Sequence, residues 1–317
     1  MQVHGFHHVT AVTARIRDNL GFYTGVLGLR LVKRTVNQDD TSAYHLFYAD
    51  ARGNPGTDLT FFDFDLPPAR RGTRSIVRTG FRVRDTETLE WWAERLRRHG
   101  AQEVRLEQRD QRAALDFEDP EGQRLSLVED GGQGPDPDPW RESPVPPERQ
   151  LRGLGPMMVS VAALDDTELF LVKVLGMERR RRYEMPAEGN TPVHVFGMAG
   201  EGPHAELHVA VQPDLPPARL GAGGVHHLAL RTPSDEEHTA WVDRMRELGI
   251  PNSGRVDRYY FRSLYFRDPS GILFEIATDG PGFHVDEPVE ELGGKLVLPP
   301  FLEHRRKEIE RGLEPLD

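Results

Sequence analysis

The sequence repeats itself at an offset of about 150 residues, and a duplicated chain has to fold as a set of equivalent modules. GFHHVTAVTARIRDNLGFYTGVLGLRLVKRT (5–35) returns as GPMMVSVAALDDTELFLVKVLGMERRRRY (155–183), so His8 aligns with Met158 (158 − 8 = 150). FEDPEGQRLSLVED (117–130) returns as FRDPSGILFEIATDG (266–280), which sets Ser126 against Glu275 (275 − 126 = 149) and His227 against Arg78 (227 − 78 = 149). Two imidazoles and a carboxylate therefore stand where the duplicate carries Met, Arg and Ser. That asymmetry suggests one metal site kept and one abandoned.

The repeat divides further. Alternating strands such as HVTAV (8–12) and HLALR (227–231) each precede an amphipathic helical stretch, at 18–27, 88–100, 167–176 and 238–249. Trp92 and Trp241 match within the second and fourth helices, and Gly100 and Gly249 follow their last turns, where a left-handed stop is expected. Asp-Pro-Glu-Gly and Asp-Pro-Ser-Gly read as hairpin turns. The chain is thus expected to be α+β, with four βαβββ units at 4–64, 75–131, 152–213 and 223–280. Consecutive units would pair into an N-terminal domain (1–135) and a C-terminal domain (151–280). The linker (136–150) belongs to a Pro- and Gly-rich stretch, 131–150, expected to be extended on the surface. A tail (281–317) includes LPPFLEHRRKEIERGL (298–313), which reads as a Pro-started helix packing across the domains and suggests a homodimer.

Composition narrows the function. A net charge of −11 argues against a nucleic-acid groove, and RRGTR (70–74) and RRRR (179–182) read as solvated strand edges. No run of about 18 apolar residues would span a membrane, and the N-terminus lacks signal-peptide character, so a cytoplasmic location is expected. With no cysteine, thiolate metal sites and Cys nucleophiles are excluded. GAGG (221–224) lacks the spacing of a phosphate loop.

His8 and His227 open the first strands of their units, and Glu275 lies in a late strand of the fourth. Two His and one carboxylate form the facial set that suits Fe(II), with Mn(II) as the substitute, and leaves positions open for substrate and dioxygen. Thr10 should share the face of His8, whereas His7 and His226 should point away by strand alternation. His45 aligns with His194 of the duplicate and reads as structural; His204, His208 and His284 read as surface or packing residues.

The strings GFHHVT (5–10), LGLRLVKRTVNQDD (27–40), YHLFYADARGNPGT (44–57), GGVHHLAL (223–230) and DPSGILFEIATDGPGF (268–283) resemble the vicinal oxygen chelate superfamily of glyoxalases, bleomycin-resistance proteins and extradiol dioxygenases. Within it they resemble the hydroquinone-type ring-cleaving dioxygenases. The resemblance implies curved mixed sheets, Fe(II) on His8, His227 and Glu275, and a small aromatic diol of hydroquinone or catechol type as substrate with O2. It also places Tyr265, Arg258, His226, His7 and Thr10 around the substrate, with His226 as the expected base and Tyr265 and Arg258 stabilising developing charge. Two rival readings share the fold: a glyoxalase-like isomerase or transferase, and a metal-free drug- or quinone-binding protein. A glyoxalase-type site would need a fourth ligand, and TDLTFFDF (57–64) offers Thr60 there, or Asp58 if the register slips.

Overall fold

The computed structural model describes residues 1–316. The first module runs β1 (Phe6–Thr13), α1 (Ile16–Leu20) continuing into a π-helical turn over Gly21–Val26, β2 (Arg30–Val36), β3 (Tyr44–Ala49) and β4 (Asp58–Asp63). The second runs β5 (Ser75–Val83), α2 (Thr86–Arg98), β6 (Gln102–Arg109), β7 (Arg112–Glu118) and β8 (Arg124–Glu129). The third comprises β9 (Met157–Val161), α3 (Asp165–Lys173), β10 (Glu178–Met185), β11 (Thr191–Gly197) and β12 (Glu206–Val211). The fourth comprises β13 (Val225–Thr232), α4 (Asp235–Glu247), β14 (Val256–Asp257), β15 (Arg262–Arg267) and β16 (Leu273–Thr278). These are the four βαβββ units expected from the repeat.

The strands form two curled mixed sheets of eight. One has the order β14-β15-β16-β13-β1-β4-β3-β2, the other β10-β11-β12-β9-β5-β8-β7-β6. The first module therefore shares a sheet with the fourth, and the second with the third, which corrects the expected pairing of consecutive units. The junctions are β1 against β13 and β5 against β9, both antiparallel. Each opening strand is a module's free edge and must be covered. A repeat reports that such edges exist but not which of them meet.

The helices begin and end as their residues require. Asp85 accepts from Thr88 N–H at the start of α2, and Ser234 from Glu237 N–H at the start of α4. Gly100 (φ 76°) and Gly249 (φ 65°) take up the left-handed stop. Trp92 and Trp241 are fully buried. Each indole removes roughly 200 Å² from water, worth about 5 kcal/mol at about 25 cal/mol per Å². The tail is less helical than expected: a 3-10 turn at Glu303–Arg305 leads into α5 (Arg306–Gly312), whose Ile309, with the flanking Leu298, Leu302 and Leu313, joins the core. No helix among the described residues is long and apolar enough to cross a membrane.

Candidate metal centre

β1, β13 and β16 lie side by side in the first sheet, because β13 pairs with β1 on one edge and with β16 on the other. This brings His8, His227 and Glu275 together at the middle of the curl, all essentially inaccessible to solvent. His8 Nε2 lies 3.3 Å from His227 Nε2 and 3.3 Å from Glu275 Oε2, and His227 Nε2 lies 3.0 Å from the same oxygen. Ligands bonded at about 2.1 Å and held at right angles stand about 3.0 Å apart. The spacing thus fits one cation held by three cis ligands.

Hydrogen bonding on the far side of each ring prepares that role. The Thr278 carbonyl can only accept, so His7 Nε2, 3.0 Å away, carries a proton. Burial, then the neighbouring His8, lowers the His7 pKa to about 3, so its ring is neutral and its Nδ1 bare. His8 Nδ1, 2.9 Å from His7 Nδ1, must then be the donor, which leaves His8 Nε2 a free lone pair. His226 and His227 repeat the contact, Nδ1 to Nδ1 at 2.8 Å, and burial followed by His227 lowers the His226 pKa to about 3. Glu275 brings a buried carboxylate oxygen to within 3.3 Å of His8 Nε2 and 3.0 Å of His227 Nε2. Neither of its oxygens has a well-directed hydrogen bond. Three buried acceptors aimed at one point fit a cation, and the oxygen–nitrogen donor set suits a hard or borderline divalent ion.

The sequence-derived residues fall into two groups around this point. Tyr265 and Arg258 line a cavity of about 40 Å³ with His8, His227, His45, Phe47, Phe62 and Phe261. Tyr265 sits opposite Glu275 in the β15–β16 pair, and Arg258 Nε donates to its Oη at 3.2 Å. A fork from Arg258 onto Asp39, at 2.8 and 3.1 Å, fixes the guanidinium. His7, His226 and Thr10 stay outside the cavity. The two histidines reach the centre only through their neighbours' rings, and the β1–β13 register is irregular beside each, between Phe6 and His8 and between Thr10 and Ala11. Thr10 Oγ1 lies 2.8 Å from Thr60 Oγ1, which lies 2.9 Å from His45 Nε2.

His45 is the residue that sequence reasoning assigned elsewhere. Its presence in both copies pointed to structure, yet His194 of the duplicate is engaged by Arg179 at 2.6 Å, whereas His45 faces the cavity. Its position on the strand beside Thr60, on the face of His8 and Thr10, was the available signal. The fourth-ligand position is filled by Thr60, tied up with Thr10 and His45. Asp58 lies across from His8 in β4, but it is outside the ligand group, and burial followed by Asp50 raises its pKa well above the usual range.

In the second sheet, a guanidinium stands at the equivalent place. Arg78 pairs with Asp116 at 2.8 Å, Ser126 Oγ donates to the same carboxylate at 2.9 Å, and Met158 lines the adjoining small cavity. Asp110, Glu206 and His208 also cluster closely enough to hold a metal, but Arg181 already forks onto Glu206 and pairs with Asp110 there.

The sequence matches the family model for the Glyoxalase/Bleomycin resistance protein/Dioxygenase superfamily over residues 5–127 and 153–276. It is 45% identical over 318 residues, covering 100% of both chains, to the Bacillus subtilis (strain 168) protein named "Putative ring-cleaving dioxygenase MhqA". It is 30% identical over 317 residues, covering 98% of this chain and 96% of the relative, to the chlorohydroquinone/hydroquinone 1,2-dioxygenase of Sphingobium indicum. A crystal structure of a "putative dioxygenase" from Bacillus subtilis superposes with a TM-score of 0.91 at 33% identity, covering 100% of this chain and 98% of the other. Glyoxalase I from Zea mays shares the fold alone, with a TM-score of 0.64 at 17% identity over 87% of this chain and 92% of the other. With its duplicated modules, its two curled sheets and these relatives, the chain belongs to the glyoxalase/bleomycin resistance protein/dioxygenase superfamily.

Proposed function

We propose that this chain is a ring-cleaving dioxygenase acting on a hydroquinone-type aromatic diol, with Fe(II) held by His8, His227 and Glu275 and Mn(II) as the substitute ion. The observation that carries the reading is the convergence of three buried acceptors on the wall of an aromatic cavity. Bound Fe(II) would supply a Lewis-acidic, redox-active centre that favours ionisation of a ring hydroxyl and electron flow to dioxygen. In the net reaction, one ring C–C bond beside a hydroxyl-bearing carbon breaks and both oxygen atoms enter the product.

The protein's own groups have separable tasks. Phe47, Phe62 and Phe261 offer apolar walls to a flat ring and exclude water. His45 is the base within reach of the cavity. Burial foremost, then His8 and His227, hold it neutral, and we place its proton on Nε2, against Thr60 at 2.9 Å, so that Nδ1 can accept the hydroxyl proton. His226, expected as the base, is better suited to orienting His227, since their Nδ1 atoms share one proton. Tyr265 is a donor. Burial and the Glu275 charge push its phenol well up, so it keeps its proton, and accepting from Arg258 leaves that proton free to meet an oxyanion.

A cavity of about 40 Å³ is smaller than the roughly 150 Å³ that benzene occupies in an engineered core. The rim must therefore part to admit a ring. Gln38 Nε2 donates to the Arg258 carbonyl at 2.8 Å, and with the Asp39–Arg258 fork it forms the contacts that would break. Asp58, which lies outside the ligand cluster, and Thr60, engaged by Thr10 and His45, disfavour the isomerase reading. The test is anaerobic loading with Fe(II), addition of hydroquinone, and admission of ¹⁸O₂. Oxygen uptake with a product carrying both labelled atoms is expected. Loaded protein that consumes no oxygen with any hydroquinone or catechol would sink the proposal.

A further inference from the structure

A cleft far larger than the metal cavity lies elsewhere in the molecule. It measures about 650 Å³ and opens where the two sheets meet, on the far side of His226. Its floor is built from a second internal repeat that the metal centre does not use: DLPPARRG (65–72) and DLPPARLG (214–221). These two connectors, which link modules one to two and three to four, lie antiparallel, with Arg70 and Arg219 directly opposed and exchanging both backbone hydrogen bonds at 2.9 Å. The approach is too close for any side chain. A Cβ on Gly72 would lie 2.1 Å from the Pro216 carbonyl oxygen, and one on Gly221 would lie 2.2 Å from that of Pro67. The framework carrying the two arginines is therefore rigid.

Like charges set directly opposite each other on an antiparallel pair are destabilising. Nothing nearby relieves this one. Arg70, Arg74 and Arg219 make no ion pair or side-chain hydrogen bond among the described residues, and Arg267 bonds only the Gly271 carbonyl. The cleft's carboxylate, Glu188, is engaged by Arg78 and Gln212. Four guanidiniums without an ion-pair partner among the described residues thus crowd one cleft of a chain whose net charge is −11. Exposed Leu215 and Leu220 stand beside them.

We propose that this cleft binds a small organic carboxylate with an apolar body, its acid groups gripped by Arg70 and Arg219 and its carbon skeleton laid against Leu215 and Leu220. The planar fork of arginine matches a carboxylate through two parallel hydrogen bonds, and two forks related by the repeat suit a dicarboxylate. The site stands on its arginines alone, whether or not the chain cleaves aromatic rings. Its occupant would lie against His226, the ring that bonds His227, and so would adjoin the metal centre from outside.

Calorimetric titration of the metal-free protein with cis,cis-muconate tests this, with inorganic phosphate as a parallel arm. Saturable 1:1 binding of muconate is expected, and it should weaken about tenfold or more in Arg70→Ala/Arg219→Ala, since one lost charged hydrogen bond is worth about 1.5–3 kcal/mol. Arg70→Lys/Arg219→Lys keeps the charge without the fork and should fall between. Arg141→Ala, an exposed arginine far along the linker, should bind as wild type. Absence of saturable binding, equal binding by the alanine pair, or equal loss in Arg141→Ala overturns the site. Phosphate binding as tightly as muconate overturns its organic selectivity.

Discussion

The backbone carbonyl of Thr278 lies 3.0 Å from His7 Nε2, and that contact decides which nitrogen of His8 is free. The carbonyl fixes the His7 proton on Nε2, His7 Nδ1 then accepts from His8 Nδ1, and His8 Nε2 is left bare toward Glu275. His7→Ala removes the acceptor and strands a buried N–H on His8. Metal affinity should fall about 10- to 100-fold, the usual loss when a ligand's orienting partner is removed. His7→Gln, which offers a carbonyl oxygen, should recover part of it. Titration with Mn(II) followed by electron paramagnetic resonance measures both, and an unchanged dissociation constant in His7→Ala would refute the relay.

Without a cation, Glu275 presents an unneutralised buried carboxylate to two lone pairs. Binding a divalent ion should therefore raise the melting temperature. An ion present at a hundredfold its dissociation constant adds about 2.7 kcal/mol if it binds only the folded state. Glu275→Gln supplies amide hydrogens to the same lone pairs, so the metal-free variant should melt no lower than wild type and should not respond to Fe(II) or Mn(II). Anaerobic scanning calorimetry checks this. An equal response from the variant would mean that the ion binds elsewhere.

The cluster of His8, His227 and Glu275 was legible because duplication supplied an internal control: these residues align with Met158, Arg78 and Ser126, whose side chains cannot form the same acceptor set. The same comparison misled at His45, since identical residues in two copies need not have identical partners: Thr60 in one, Arg179 in the other. Strand alternation placed Thr10 on the face of His8, and it placed His7 and His226 away from the centre. It could not show that adjacent rings would meet edge to edge, because the β1–β13 register is irregular beside each pair, a feature of pairing that alternation does not carry. Module pairing was out of reach for a different reason. Four equivalent opening strands offer equivalent edges, and only the packing of the whole chain selects β1 with β13.

Tyr265 accepts from Arg258 and so has one proton to give. Tyr265→Phe keeps the ring against His227 and removes the donor alone. If the hydroxyl stabilises charge that develops during ring opening, kcat should drop about 10²–10³-fold with KM little changed, the cost of one oxyanion donor. Steady-state oxygen uptake with hydroquinone separates the two constants. A loss confined to KM would make Tyr265 a binding contact only.

His45 is kept neutral well below pH 6.5, by burial first and then by His8 and His227. A base already deprotonated at neutrality gains nothing from added alkali. The rate should be flat above about pH 6.5 and should fall only on the acid side. His45→Gln retains the contact with Thr60 but cannot take a proton, and kcat should fall about 10²–10⁴-fold. A wild-type rate that still climbs through about pH 8 would point to another base.

Glu206 tests the electrostatics of the second sheet, away from the metal. Burial raises its pKa, but the nearby His208, 3.6 Å away, and the hydrogen bonds and charge of Arg181 prevail and hold it well below 4.5. The fork from Arg181 spans 2.7 and 2.8 Å. Since the folded value lies below the unfolded one, the contribution to stability is complete above about pH 4.5 and is lost as pH falls toward the folded value. Glu206→Gln leaves Arg181 with Asp110 alone. Breaking a buried pair costs about 3–5 kcal/mol, but Arg181 is partly solvated, so about 1–2 kcal/mol is expected at pH 7. The gap between wild type and variant should narrow below about pH 4.5, as protonation removes the same charge from wild type. Urea unfolding at both pH values measures the difference, and a gap that widened in acid would show that Glu206 is not held in its charged form.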